Sequence, residues 1–210
     1  LRKPFARVAG LALLVGMTWA ATADNLIFEH FDQNVADNSP IGGAPGWHCY
    51  ALNGGVVTDY TTATPNGNYP TLSHSTAGAG SGGIGYLVMG AGNVVSNVLV
   101  WFDSSNDLQG KIISDVVFYS KNNASASTER VVVRIGSQWF ASTATLNDTS
   151  GNSAWVSNSF LFNTNASSWR ALNTNTLTLG ATNASPLPGG TIAAIGLFGL
   201  IQADSGKIRV

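Results

Sequence analysis

The side chains in this sequence that could do chemistry are aromatic before they are acidic or nucleophilic. Six Trp and five Tyr stand against two Glu. An aromatic face binds a sugar ring through the ring's C–H surface, while neighbouring polar groups hydrogen-bond its hydroxyls. Trp47, Tyr50, Tyr60 and Tyr69 fall in or beside loop-like sequence, which makes them the candidate ligand-binding residues. Packing beneath a long loop would use the same four side chains. Trp101, Trp139, Trp155 and Trp169 lie inside apolar runs and are expected in the core.

Glycoside hydrolysis needs two carboxyl groups at a set separation, one of them held protonated by its surroundings. Glu29 and Glu129 are the only glutamates, the aspartates are scattered, and no run places several carboxylates on one strand face. Glu129, beside Arg130 at a strand start, reads as a solvated position. No catalytic residue is therefore expected. His30, His48 and His74 lie on separate segments without the i,i+2 or i,i+4 spacing that would favour a zinc site. No Gly-x-Ser-x-Gly elbow occurs. The stretch Gly78 to Gly83 lacks the Gly-Lys-Ser/Thr of a phosphate loop and reads as a flexible loop. Glu29, Asp32 and Asp37 cluster early in the chain, and with loop carbonyls they would offer Ca²⁺ the hard oxygen ligands it prefers. Asx-turns at a loop start would use the two aspartates just as well. Cys49 is the single cysteine, so no intramolecular disulfide can form, and a small buried hydrophobe is the expected role.

The elements that must position these groups read as strands. Nearly every apolar run is short, rich in β-branched or aromatic residues, and bounded by Gly, Asn, Asp or Ser. The clearest are Leu26 to Phe31, Ile84 to Met89, Val98 to Phe102, Ile112 to Tyr119, Arg130 to Ile135 and Thr191 to Ile201. Weaker ones are Trp47 to Leu52, Trp139 to Leu146, Ala154 to Phe162, Trp169 to Leu172 and Leu177 to Leu179. No window holds a capped, 3.6-periodic apolar stripe, so almost no helix is expected. Ile112 to Tyr119 and Arg130 to Ile135 read as an antiparallel pair, and Gly136-Ser137 as a type II′ turn into the strand after it. Asn53 to Gly83 reads as one long functional or mobile loop. The expected fold is an all-β antiparallel β-sandwich with jelly-roll winding.

Residues 1–23 have the form of an export leader. Arg2, Lys3 and Arg7 precede a short apolar run, and Ala21-Thr22-Ala23 suits a signal peptidase. About 13 apolar residues fall short of the ~20 that span a bilayer. A secreted or cell-surface location follows, with a single domain over residues 24–210 whose end at Ile208-Arg209-Val210, within a strand-like run, suggests a truncated C-terminus. Three of the ten basic residues and none of the eleven acidic ones lie in the leader, so the remainder carries 7 − 11 = −4. Only 10% of residues are charged, and no basic stripe is present to neutralise phosphates. Nucleic acid is not an expected partner.

The opening Leu26-Ile27-Phe28-Glu29-His30-Phe31, the segment Ile112 to Phe140, and the closing Ile195-Gly196-Leu197-Phe198 with Gly206-Lys207-Ile208-Arg209-Val210 resemble exported bacterial sandwich proteins of the PEP-CTERM-associated type. Their folds are similar to those of concanavalin-like lectins and carbohydrate-binding modules. The chain stops before the last Asp of that group's closing strand and before any sorting segment. The resemblance implies a structural calcium tying the first strand to the last, and a non-catalytic protein that binds a polysaccharide or cell-surface glycan. A glycan-cleaving enzyme on the same scaffold, and a self-associating structural subunit whose strand edges pair between copies, are the other two expectations.

Overall fold

A computed structural model of the chain describes residues 39–62, 70–74, 85–91, 95–104, 108–122, 127–146, 155–201 and 207–209. Among these residues the β-branched and aromatic runs form strands, and Gly54-Gly55 and Gly136-Ser137 form turns between them. The strands are β1 (Trp47–Asn53), β2 (Val56–Asp59), β3 (Thr71–His74), β4 (Gly85–Ala91), β5 (Val95–Asp103), β6 (Asp115–Asn122) and β7 (Thr128–Ile135). They continue with β8 (Gln138–Ser142), β9 (Val156–Leu161), β10 (Trp169–Asn173), β11 (Thr178–Thr182), β12 (Ile192–Leu200) and β13 (Lys207–Arg209). The helical content among the described residues is two single 3₁₀ turns, Ile41–Gly43 and Ala166–Ser168. The strand expected at Leu26 to Phe31 lies outside the described residues.

All pairings among the described residues are antiparallel. One sheet has eight strands in the order β11-β10-β8-β7-β12-β5-β1-β2, and the other has five in the order β3-β4-β13-β6-β9. The inward faces of the two sheets meet in one apolar core. Val98 and Val100 of β5, Val131 and Val133 of β7, and Phe140 of β8 pack there with Leu72, Leu87, Met89, Phe118 and Phe160 of the smaller sheet. Trp169 at the start of β10 is fully buried in this layer, and its indole N–H donates to the Asn163 carbonyl at 2.7 Å. That bond meets the need of a polar tip inside an apolar body. The all-β antiparallel sandwich expected from the sequence is the architecture found.

Three local expectations are corrected. β6 and β7 do not pair: β6 lies between β13 and β9 in the small sheet, while β7 lies between β8 and β12 in the large one. Their inner side chains, Phe118 against Val131 and Val133, share the core from its two sides, so consecutive strands stack instead of lying edge to edge. Ile112, expected to begin the strand that runs to Tyr119, is 93% exposed and precedes β6. The long loop expected from Asn53 to Gly83 contains β2 and β3. Gly54 and Gly55 both take positive φ, +57° and +85°, between Asn53 and Val56, which face each other across a two-residue hairpin. Positive φ at both central positions is the type I′ requirement. The Gly136-Ser137 turn is as expected: Gly136 has φ +58°, no positive φ occurs at Ser137, and Ile135 pairs with Gln138.

The eight-stranded sheet is also apolar on its other face. Leu99, Trp101, Val132, Ala141, Leu172, Leu177, Ala194 and Phe198 form a second buried cluster there. A sheet covers such a face by curling over it. Asn97 on β5 donates its side-chain amide to the Leu177 carbonyl at 2.7 Å, in the turn between β10 and β11. In a flat sheet those strands would stand four to five spacings apart, roughly 20 Å. The contact therefore shows that the sheet bends until its far edge reaches back to β5, which makes the face bearing the second cluster the concave one.

Candidate functional site

Strand alternation assigns each side chain of the large sheet to the sandwich core or to the concave face. On β7, Val131 and Val133 go inward, so Arg130, Val132 and Arg134 go to the concave face. On β1, Cys49 and Ala51 go inward and His48 and Tyr50 face the concavity. The register then lines residues up across the strands. One row runs His48, Trp101, Gly196, Val132, Ala141, Arg170. The next runs Asp103, Ala194, Arg134, Trp139, Leu172, and the one on the other side runs Tyr50, Leu99, Phe198, Arg130.

Small residues occupy the middle of the first row, and large flat ones flank it. At Gly196 a Cβ would meet the Val100 carbonyl oxygen and come within 2.6 Å of the Trp101 Cα. No larger residue fits, because the backbone of β5 packs directly against this position. His48 stacks on the Trp101 ring at a centroid separation of 5.2 Å and an interplanar angle of 17°. Tyr50 meets the same ring edge-on at 4.9 Å, and Trp139 meets it edge-on at 5.2 Å. Arg134 places its guanidinium carbon 5.6 Å from the centre of the Trp139 ring. Edge-to-face and cation–π contacts of these kinds contribute about 0.5–1.5 kcal/mol each, so the aromatic group is held in one arrangement before any ligand arrives. Trp101 is buried in it, while His48, Tyr50, Trp139 and Arg134 stay half-exposed.

Two further arginines share the face. Arg130 uses one terminal nitrogen to donate to the Ser142 carbonyl at 2.7 Å and to the Thr143 carbonyl. Arg170 stands two strands away from β7, across Ala141. Burial, and then the positive charge of Arg170, hold the Arg130 guanidinium below its ordinary pKa. The Nε atoms of Arg130, Arg134 and Arg170 are all buried with no hydrogen-bond partner. The carboxylates brought to this face among the described residues are Asp59, opposite Tyr50, and Asp103, opposite Ala194, and both are exposed.

The residues singled out from the sequence scatter relative to this face. Tyr50 lies on it. Trp47 packs on the opposite face against the sandwich core, with its ring 5.9 Å from Phe102. Tyr60 is buried in that same core, its hydroxyl accepting from the Asn53 amide at 2.9 Å. Tyr69 lies outside the described residues, as do Glu29, Asp32 and Asp37 of the expected calcium site. Among the described residues no group of three or more His, Cys, Asp or Glu is placed to hold a metal ion. Glu129, read as solvated, is 1% exposed because it shares the inward face of Val131 and Val133. Trp101 and Trp139, read as core, carry the concave cluster. The signal for them was alternation: Trp139 is out of phase with Phe140, which goes to the sandwich core, and Trp101 is out of phase with Val100 and Val98.

The class defined by this geometry is an antiparallel β-sandwich whose larger sheet curls around an aromatic and arginine-bearing concavity. Neither a known protein family, a curated protein nor a solved structure matches the chain. Among the described residues no helix is long and apolar enough to cross a membrane.

Proposed function

We propose that the protein is an exported, non-catalytic glycan-binding β-sandwich, with jelly-roll winding, whose binding face is the concavity of the eight-stranded sheet. The observation that supports it most is the half-exposed ring of Trp139, held edge-on against Trp101 and beside Arg134, with His48 and Tyr50 packed on Trp101. A rigid flat apolar surface beside hydrogen-bond donors is what a sugar ring needs, and a curled sheet offers it to a chain-like ligand along a trough. A glycan-cleaving enzyme would need a carboxyl group desolvated enough to keep its proton near neutral pH. Asp59 and Asp103, which the described residues bring to this face, are both exposed. The export leader at residues 1–23 fits the encounter with extracellular glycan.

Affinity electrophoresis of the full chain through gels containing neutral and acidic polysaccharides tests the reading. At least one glycan should retard the protein, and Trp139→Ala should weaken that retardation by about tenfold, since losing one stacked aromatic costs on the order of 1–2 kcal/mol. Unchanged mobility in every gel would remove the glycan-binding reading.

A further inference from the structure

Three guanidinium groups share one face of a protein with little charge. Of the seven basic residues after position 23, Arg130, Arg134 and Arg170 all lie on the concavity. Arg130 and Arg134 are four residues apart on β7 and therefore point the same way. Arg170 stands in the row between them, across Ala141 from Val132, both of which are fully buried. Each Nε–H is buried without a partner, and none of the three groups has a carboxylate facing it in its own position on the neighbouring strand. A buried, unpaired donor on a cation is unfavourable, as are like charges close together. An oxyanion entering between them would relieve both.

We propose that the concavity binds an acidic polysaccharide, with a sugar ring on Trp139 and the oxyanion of that residue or its neighbour paired to Arg134 and Arg170. This rests on the glycan-binding reading of the same face and adds the charge of the ligand. The planar fork of arginine matches a two-oxygen anion such as a carboxylate, and a ring stacked beside it gives the ligand a fixed orientation. Arg130, tied by its terminal nitrogen to the Ser142 and Thr143 carbonyls, supplies charge from a fixed position. Attraction of a polyanion to this patch overcomes the overall negative charge because screening in salt limits interactions to about 10 Å, so the nearby cations dominate.

The test uses the full chain in affinity electrophoresis with four probes at equal mass: polygalacturonate, dextran sulfate, unsubstituted dextran and duplex DNA. Retardation by polygalacturonate or dextran sulfate, at least tenfold stronger than by dextran and weakened as salt rises, is the expected result, and the preference between the first two identifies carboxylate or sulfate as the oxyanion. Arg170→Gln should reduce that retardation about tenfold, in line with loss of one charge-assisted pair, without lowering the melting temperature, since it removes one of the like charges, and without weakening any dextran binding. Arg134→Lys, which keeps the charge and the stem but not the fork, gives a second reading should the glutamine variant fold poorly, and is expected to lose about fivefold. Equal retardation by dextran, or arginine variants that bind as well as the parent, would overturn the acidic ligand and leave glycan binding standing. DNA retarding as strongly as the acidic glycans would overturn it in favour of a general polyanion surface. No retardation in any polysaccharide gel would overturn both readings at once.

Discussion

At the scale of single residues, burial decides what a chemically capable group can do, and Cys49 is the plainest case. Its backbone N–H donates to the Thr61 hydroxyl at 3.0 Å, and its side chain is fully enclosed in the sandwich core. Burial, and then the charge of Asp59, push its thiol pKa well above the ordinary value. The thiolate is the reactive form, so the folded protein should resist a thiol reagent at pH 8 and react only after denaturation. The sign of the stability effect follows. In the unfolded chain the thiol ionises once pH passes its ordinary pKa, whereas the buried one keeps its proton. The folded state then binds more protons than the unfolded state, and stability is lost as pH rises above that range, by up to about 1.4 kcal/mol per pH unit. Denaturant melts of the parent and of Cys49→Ala between pH 8 and pH 10 check this: the parent should lose stability more steeply, and parallel slopes would contradict it.

At the scale of elements, turn chemistry fixes register, and register fixes which side chains share a face. The β1–β2 hairpin depends on the positive φ of Gly54 and Gly55, where an added Cβ would meet no atom within 4 Å. Any penalty for substitution there is therefore one of backbone conformation and not of collision. Gly55→Ala should cost about 1–2 kcal/mol, the cost of a left-handed residue with a Cβ, while Gly54→Asn, a residue suited to the first position of this turn, should change stability by less than about 0.5 kcal/mol. Equal losses from the two substitutions in denaturant melts would count against a type I′ turn. This hairpin was not legible in the sequence, where Asn53 to Gly83 read as one long loop. Strand type, the absence of long helices among the described residues and the Gly136 turn could be read because period-two alternation and turn glycines are local signals. The pairing of β6 with β9 and not with β7 could not, because Phe118 and Val131 are each apolar whether they lie beside one another or across a core. The site was hidden for the same reason. Trp101 and Trp139 sit in strands whose two faces are both apolar, and only the curl of the sheet, seen in the Asn97 to Leu177 hydrogen bond, separates a sandwich face from a concave one.

At the scale of the whole molecule, the two apolar clusters lie on opposite faces of one sheet and are built from the same strands. β5 gives Val98 and Val100 to the sandwich core and Leu99 and Trp101 to the concave cluster, and β12 gives Leu197 to the first and Phe198 to the second. Neither face can lose its packing without loosening the strands that hold the other. The described strands should therefore unfold as one cooperative unit despite having two clusters. Phe198 is fully buried between Leu99 and Arg130 in the register, in the half of the concavity away from Trp139. Phe198→Ala should remove about 3–5 kcal/mol, as large-to-small changes of a buried aromatic do. If the clusters are coupled as described, that substitution moves the entire transition, with far-ultraviolet dichroism and tryptophan fluorescence still coinciding, because Trp169 reports from the sandwich core and Trp101 from the concave side. An early fluorescence step in the variant, ahead of the loss of strand signal, would instead mean that the concavity can open while the sandwich stays closed.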